Sequence, residues 1–428
     1  MRMMIKRIIR RVLPDRVEEF IDKFYLKVKI KYYNWLYENT IKRLQKKEKI
    51  YVALLLLNTD TWKYDDLYWD LERDNRFNPI VFICPLTGKG SDYLKEDFEQ
   101  SVNFCEKKNY QFLKGYDLIN DNVIDLKKSV KPDIVFYSNP NNITFQEFRL
   151  TNFREALNCY VPYSFRVDTL FKYTYKKPFV NLTWRNYYET RVHKELAVAH
   201  APNKGKNIRV VGFPKLDEIK KAKNKISTAY EKDIKTIIWA PHWTIKNYQN
   251  TGINWSCFLQ YHQTFLDISA KFKERLQIVM KPHPFLFNLL EKEIWGVKRT
   301  REYIAKWEKS SNLDIIHGDY IDLFCKSDGL IHDSGSFLAE YLILDKPAAY
   351  TVSDKDDLDT RFNEFGELAL KQHELIYEEE GLYSFIESIM NDKDSKEKTR
   401  KQFIKQFLNI NNKTASENII ADLKKNIS

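Results

Sequence analysis

The feature that most restricts this chain is a recurrence. Short apolar runs are each followed by a polar turn and then a helix-like stretch. Residues 51–57, 79–84, 134–137, 208–211, 236–239, 276–280, 313–316 and 329–332 have this form. Runs that are apolar without alternation suit strands covered on both faces, and strands that alternate with helices pair in parallel. Helical patterns at 64–74, 96–107, 218–232, 258–272 and 321–327 fall between the runs. The expectation is an α/β chain built on parallel sheets.

At 428 residues the chain exceeds one ordinary core, so two domains are expected. The lysine-rich stretch near 218–234 is the natural break. The reading divides the chain into a basic amphipathic helical segment (1–49), a first α/β domain (50–225), a second (226–395) and a C-terminal helical segment (396–428). A hydrophobic content of 43% with 14% aromatics is enough for sizeable cores. The five cysteines are scattered and form no C-x-x-C pair, which points to reduced structural thiols in a cytoplasmic protein. No apolar run approaches the roughly 18–20 residues that span a bilayer, and no secretory signal stands at the N-terminus.

The net charge of +11 is unevenly placed. Residues 1–50 carry 15 Lys/Arg and 6 Asp/Glu, a net of +9, which leaves +2 for all the rest. In 1–13, Ile5, Ile8, Ile9 and Val12 follow helical spacing among Arg2, Lys6, Arg7, Arg10 and Arg11. Aromatics continue through Phe24, Tyr25, Tyr32, Tyr33 and Trp35. The pattern fits a helix lying on an anionic membrane surface through residues 1–37. A helix packed on the protein's own body with a solvated basic face is the alternative. No nucleic-acid motif accompanies the charge, and no nucleic-acid partner is expected.

Polar residues gather where the later apolar runs end: His242, then Lys281-Pro282-His283-Pro284, then His317 and Asp319, then His332-Asp333-Ser334-Gly335-Ser336. Four of the eight histidines stand at such ends. In open parallel sheets, ligands bind at the carboxyl ends of the strands. Ser334, Gly335 and Ser336 precede a helical run, where backbone N–H groups and the helix dipole favour a phosphate. Plain N-capping is the alternative. Lys281 offers a cation, and His283 a donor to phosphate or an acid for a leaving group. His242 suits phosphate binding or a base, with simple burial by Trp243 as the bland alternative. Glu340, four residues after Ser336, suits ribose hydroxyls or is a solvated charge. No zinc pattern and no glycine-rich nucleotide loop is present, so neither a metal nor a cofactor is expected.

The order Gly212-x-Pro214-x-x-Asp217, Trp239-Ala240-Pro241-His242, Lys281-Pro282-His283-Pro284, Asp328, Asp333-Ser334-Gly335-Ser336-Phe337 and Lys346-Pro347 resembles the CDP-glycerol glycerophosphotransferases of teichoic-acid and capsule synthesis. Trp62–Tyr68, Arg76-Phe77-Asn78-Pro79 and Tyr160-Val161-Pro162-Tyr163 are similar to members of the wider group. The resemblance covers roughly residues 50–390. It implies a GT-B-like plan: two Rossmann-like domains with parallel sheets facing a cleft, the acceptor domain first and the donor-binding domain second. It further implies metal-independent transfer and peripheral attachment to the inner face of the cell membrane. The family's W-H-G-T stretch, which carries the acceptor base, is absent, and Tyr160–Tyr163 falls in that region. Lys281 replaces the arginine of R-P-H, and Ser334-Gly335 replace the first two residues after the aspartate of D-Y-S-S.

The expected activity is transfer of glycerol phosphate, or a related polyol phosphate, from a CDP-linked donor to a glycan or lipid-linked acceptor. His283 and His242 are the expected catalytic residues. Lys281, His332, Ser334, Gly335, Ser336 and Glu340 are the expected donor contacts. A GT-B glycosyltransferase using a nucleotide sugar is the first alternative. A non-catalytic membrane-surface scaffold is the second.

Overall fold

A computed structural model describes residues 15–88, 90–226, 234–245 and 254–428. The strongly basic stretch 1–13 lies outside the described residues. Two compact units emerge. The first runs to Tyr163, resumes over Leu170–Val211 and takes back the chain end at Thr414–Ser428. The second comprises Ser164–Thr169 and Gly212–Lys413.

The first unit holds strands β1 (Ile50–Leu56), β2 (Phe77–Ile83), β3 (Phe112–Lys114), β6 (Ile134–Tyr137), β7 (Leu157–Tyr160), β8 (Arg185–Tyr188) and β9 (Ile208–Val210) in one parallel sheet. A small separate hairpin is made by β4 (Tyr116–Asp117) and β5 (Asn122–Val123). The sheet order is β3-β2-β1-β6-β7-β8-β9, so the winding reverses between β1 and β6. Strands β7 and β8 were not legible as apolar runs because each has an asparagine in the core. Asn158 is fully buried and donates to the carbonyls of Phe153 and Ala156, while Tyr137 Oη donates to its side-chain oxygen at 3.0 Å. Asn186 donates to the Val180 carbonyl at 2.7 Å. Satisfied in this way, a buried amide costs little.

Helix Asp15–Leu44 docks on this unit through one face. Tyr33, Tyr37 and Leu44 are buried, and Tyr37 Oη donates to the Leu182 carbonyl at 2.7 Å. Asp133, also buried, accepts from the Tyr51 amide at 3.0 Å, from Arg43 at 3.1 Å and from Lys47. One carboxylate thus ties the helix end to the starts of β1 and β6. Helix Ala415–Ile427 closes the unit. Ile419, Leu423 and Ile427 are buried, and Asp422 accepts from Arg185 (3.1 Å), Arg209 (3.3 Å) and Tyr187 (3.1 Å).

The second unit holds β10 (Lys235–Ala240), β11 (Leu276–Met280), β12 (Leu313–Ile315), β13 (Gly329–His332), β14 (Ala348–Thr351) and β15 (Glu374–Ile376). All are parallel, in the order β12-β11-β10-β13-β14-β15, and the winding reverses between β10 and β13. Trp239 fills the core beside Phe265, with ring centroids 4.0 Å apart.

The lysine-rich stretch is not a linker as far as Ile226. It forms helix Pro214–Ile226, with Leu216 and Ile219 buried, so the chain changes unit at Val211/Gly212. Residues 396–428 also divide. Arg400 in helix Glu397–Phe403 is fully buried on Asp345 (3.0 Å) and Asp394 in the second unit, and only the last helix belongs to the first. Long-range partners decide both points, and local pattern does not carry them.

Candidate functional site

The site of the second unit is built by register. Ala240 pairs with His332, so the residues that follow, Pro241-His242 and Asp333-Ser334, leave the sheet side by side at the winding reversal. Such reversals open a crevice at the carboxyl edge. From β11, the Lys281 amide donates to the Trp239 carbonyl at 2.8 Å, and the His283 amide donates to the Pro241 carbonyl at 3.1 Å. The rings of His242 and His283 therefore meet, with centroids 5.0 Å apart. Trp243 flanks His283 at 5.9 Å and Trp255 flanks His242 at 5.2 Å. Lys281 is buried and Ser336 is exposed.

Backbone amides set the tautomers. The Thr244 N–H donates to His242 Nδ1 at 3.3 Å, and the Thr244 hydroxyl lies 2.8 Å from the same nitrogen. The Phe285 N–H donates to His283 Nδ1 at 3.2 Å. A ring nitrogen that accepts an amide proton is unprotonated, so each neutral imidazole carries its proton on Nε2. Burial, then the nearby His283 and Arg361, push His242 down to about 3, so it stays neutral at ordinary pH. A base at His242 Nε2 would need the opposite tautomer, which would set Nδ1–H against the Thr244 amide. Donation to a phosphate oxygen, the other expectation for this residue, suits the tautomer present.

Asp333 organises the crevice. Its buried carboxylate accepts from the His242 amide at 2.5 Å and the Cys257 amide at 2.7 Å. Burial raises its pKa to about 7, against the opposing pull of those two amides and of Arg361. Tyr350 Oη donates to the Asp333 carbonyl at 3.1 Å, and Arg361 donates to Tyr350 Oη at 3.1 Å. Arg361 is itself buried and lies 5.8 Å from the Trp255 ring centroid.

Three expected donor contacts stand differently. His332 is fully buried. Its Nδ1 accepts from the Ser334 amide at 3.2 Å, and its Nε2 lies 3.1 Å from His373 Nε2. His373 Nδ1 lies 3.0 Å from the Ala369 carbonyl and so donates to it. One proton arrangement satisfies the whole chain: Ser334 N–H to His332, His332 Nε2–H to His373, His373 Nδ1–H to Ala369. Both nitrogens of His332 are thus engaged within the protein, beneath the turn. Ser334 Oγ accepts from the Ser336 amide at 3.1 Å, so two of the three amides of the expected cradle already have partners. The helix that follows is a single α turn, Phe337–Glu340, continued by a 3-10 turn, Tyr341–Leu344, which weakens the dipole argument. Glu340 is buried and accepts from Tyr320 Oη at 2.5 Å, so it is not a solvated charge. Gly335 fits the turn because a Cβ there would meet Val167 Cγ2 at 3.0 Å and Trp255 at 3.1 Å.

Other motif residues are structural. Asp328 accepts from the Thr236 amide at 2.7 Å, fixing the start of β10. Lys346 donates to the Cys325 and Ser327 carbonyls at the end of helix Ile321–Lys326. His317 is exposed at the end of β12, with Phe287 at 6.2 Å. Sequence reading missed Arg361 and Trp255, which carry no strand-end signal, and the bracing role of Asp333. In the first unit, Tyr160 is packed against Phe179 and Tyr188 and offers no exposed group. Glu189 and His193, at the end of β8, are buried together with Oε2 3.7 Å from Nδ1.

A family model described as CDP-glycerol:poly(glycerophosphate) glycerophosphotransferase matches residues 183–425, more than half of the chain. The chain belongs to that family. It is accordingly a glycerophosphotransferase-like transferase. No curated protein sequence matches it. Among solved structures, a variant of the wall teichoic acid polymerase TagF is 15% identical with a TM-score of 0.58, covering 95% of this chain and 98% of that one. A UDP-N-acetylglucosamine 2-epimerase assigned in Listeria monocytogenes is 16% identical with a TM-score of 0.57, covering 88% and 96%. The S. aureus MnaA–UDP structure is 15% identical with a TM-score of 0.56, covering 89% and 98%. These likenesses show the fold, two Rossmann-like units of GT-B type. The transferase has no helix long and apolar enough to cross a membrane among the described residues.

Proposed function

We propose that this transferase moves glycerol phosphate from CDP-glycerol to a hydroxyl of a cell-envelope glycan or lipid-linked precursor. The observation that carries the reading is the meeting of two Nε2–H imidazoles, His242 and His283, at the winding reversal, with Lys281 two residues before His283 at the end of β11. That set suits an anionic diphosphate. The acceptor oxygen forms a bond to the β-phosphorus of the donor. The bond from that phosphorus to the bridging oxygen breaks, CMP leaves with the oxygen, and the acceptor proton passes to solvent or a base. His283 and His242 donate to non-bridging oxygens and Lys281 offsets their charge, a stabilisation that strengthens as charge builds. Asp333 and His332 hold the two loops in place. The TagF fold relative was also solved after a soak with CDPG.

Placement at the inner membrane face is part of the proposal. Helix Asp15–Leu44 carries a second apolar face opposite the docked one: Val17, Ile21, Phe24, Val28, Tyr32 and Trp35, exposed and spaced by three or four residues. Phe24 is 61% and Trp35 56% exposed.

The test is CMP release from CDP-glycerol, with UDP-linked sugars in parallel. Turnover of a nucleotide sugar alone would replace the reading with glycosyl transfer. No turnover of any donor would favour the scaffold. Full CDP-glycerol turnover by His283→Ala would remove His283 from the mechanism.

A further inference from the structure

A cavity of about 450 Å³ lies in the first unit, between helix Asp15–Leu44 and the turn 203–206. It lies on one flank of that helix, beside the second apolar face. Lys27 and Lys31 enter it from the helix, Lys204 and Lys206 from the turn, and Glu38 is the carboxylate on its wall. None of these four ammonium groups has a carboxylate partner among the described residues, whereas Arg185 at the same site is held by Asp422. The turn is rigid. Asn203 Oδ1 accepts from the Gly205 amide at 2.9 Å, and Asn203 Nδ2 donates to Asn207 Oδ1 at 2.8 Å. Lys204 has a positive φ of 56° and Gly205 one of 63°, a conformation the turn's hydrogen bonds hold.

Uncompensated cations around a cavity select an anion, and the neighbouring apolar stripe selects where that anion stands. We propose that the cavity seats the phosphate of an anionic phospholipid headgroup while Phe24, Val28 and Trp35 enter the acyl boundary. This rests on the membrane placement above and assigns it a specific lipid contact.

The test uses the full chain with phosphatidylcholine vesicles, with and without added phosphatidylglycerol, in a flotation assay. The variant K27Q/K31Q/K204Q/K206Q should lose about tenfold or more of the preference for phosphatidylglycerol. It should keep CMP release from CDP-glycerol in solution, which reports its folding. Phe24→Ser with Trp35→Ser should lose binding to both vesicle types. An unchanged phosphatidylglycerol preference in the lysine variant overturns the headgroup seat and leaves the membrane reading standing. An equal loss on neutralising Lys23, Lys29, Lys42 and Lys46 overturns it in favour of diffuse attraction. Displacement by soluble glycerol phosphate at the same strength overturns it in favour of a free phosphate ester. Wild type that binds neither vesicle overturns both.

Discussion

The two parallel sheets share a winding plan and differ in what stands at their carboxyl edges. In the first unit the edge is quiet at β1, β6 and β7, and its titratable pair, Glu189 and His193, is buried after β8. Asn58 after β1 caps a 3-10 turn, Ser138 after β6 is buried, and Tyr160 at the end of β7 packs among rings. In the second unit, His242, Lys281 and His283 stand at the equivalent edge, with Asp333 bracing it. Topology supplies a crevice in both, and side chains decide which crevice has chemistry.

Asp333→Ala should have the largest effect. It strands two buried amides, costing about 1–3 kcal/mol each in a denaturant titration, and should lower turnover as well. Asp333→Asn keeps one acceptor and should fall between. The raised carboxyl pKa has a definite sign. The stability Asp333 contributes is full below the unfolded value of about 3.9 and shrinks as pH rises towards about 7, a dependence the asparagine variant should lack.

His283→Ala comes next, with a loss of about 10²–10³ in donor turnover at near-native stability. Asn58→Ala at the quiet edge should cost about 1 kcal/mol of stability through the lost cap and leave turnover intact. Comparable losses of turnover from both would break the contrast between the sheets.

Asn158→Ala should destabilise the first unit by about 1–3 kcal/mol without touching donor turnover, read by melting and CMP release together.

The pH response of the His332–His373 chain leaves the contrast between the edges and reads the support beneath the turn. Burial holds His332 well below its ordinary value and His373 at about 4. The unfolded chain therefore takes up the protons first. Stability is complete above about pH 6.5 and falls towards pH 4, by about 1.4 kcal/mol per unit for each histidine that titrates. His373→Gln should flatten the curve, and an unchanged slope would exclude the pair as its source.

Much of the fold was legible because burial on both faces leaves an uninterrupted apolar run. Strands β7 and β8 escaped because Asn158 and Asn186 interrupt theirs, and the carbonyls that satisfy those amides are not local signals. Helix Asp15–Leu44 was legible as basic and aromatic. Its two opposed apolar faces, one docked and one exposed, became separable only once the docked face was seen. At the site, the histidine and lysine positions were legible from strand ends. The engagement of His332 by His373 was not legible, because the two are 41 residues apart.

Local periodicity, prolines and polar strand ends are properties of neighbouring residues, so the amino-acid order alone determined the parallel strands and the edge that bears His242, Lys281 and His283. Tertiary structure decided that β13 lies beside β10, that Asp333 braces the His242 loop, and that both site imidazoles carry Nε2–H. Those facts depend on groups distant in the chain meeting at hydrogen-bond range, where a single amide proton sets a tautomer.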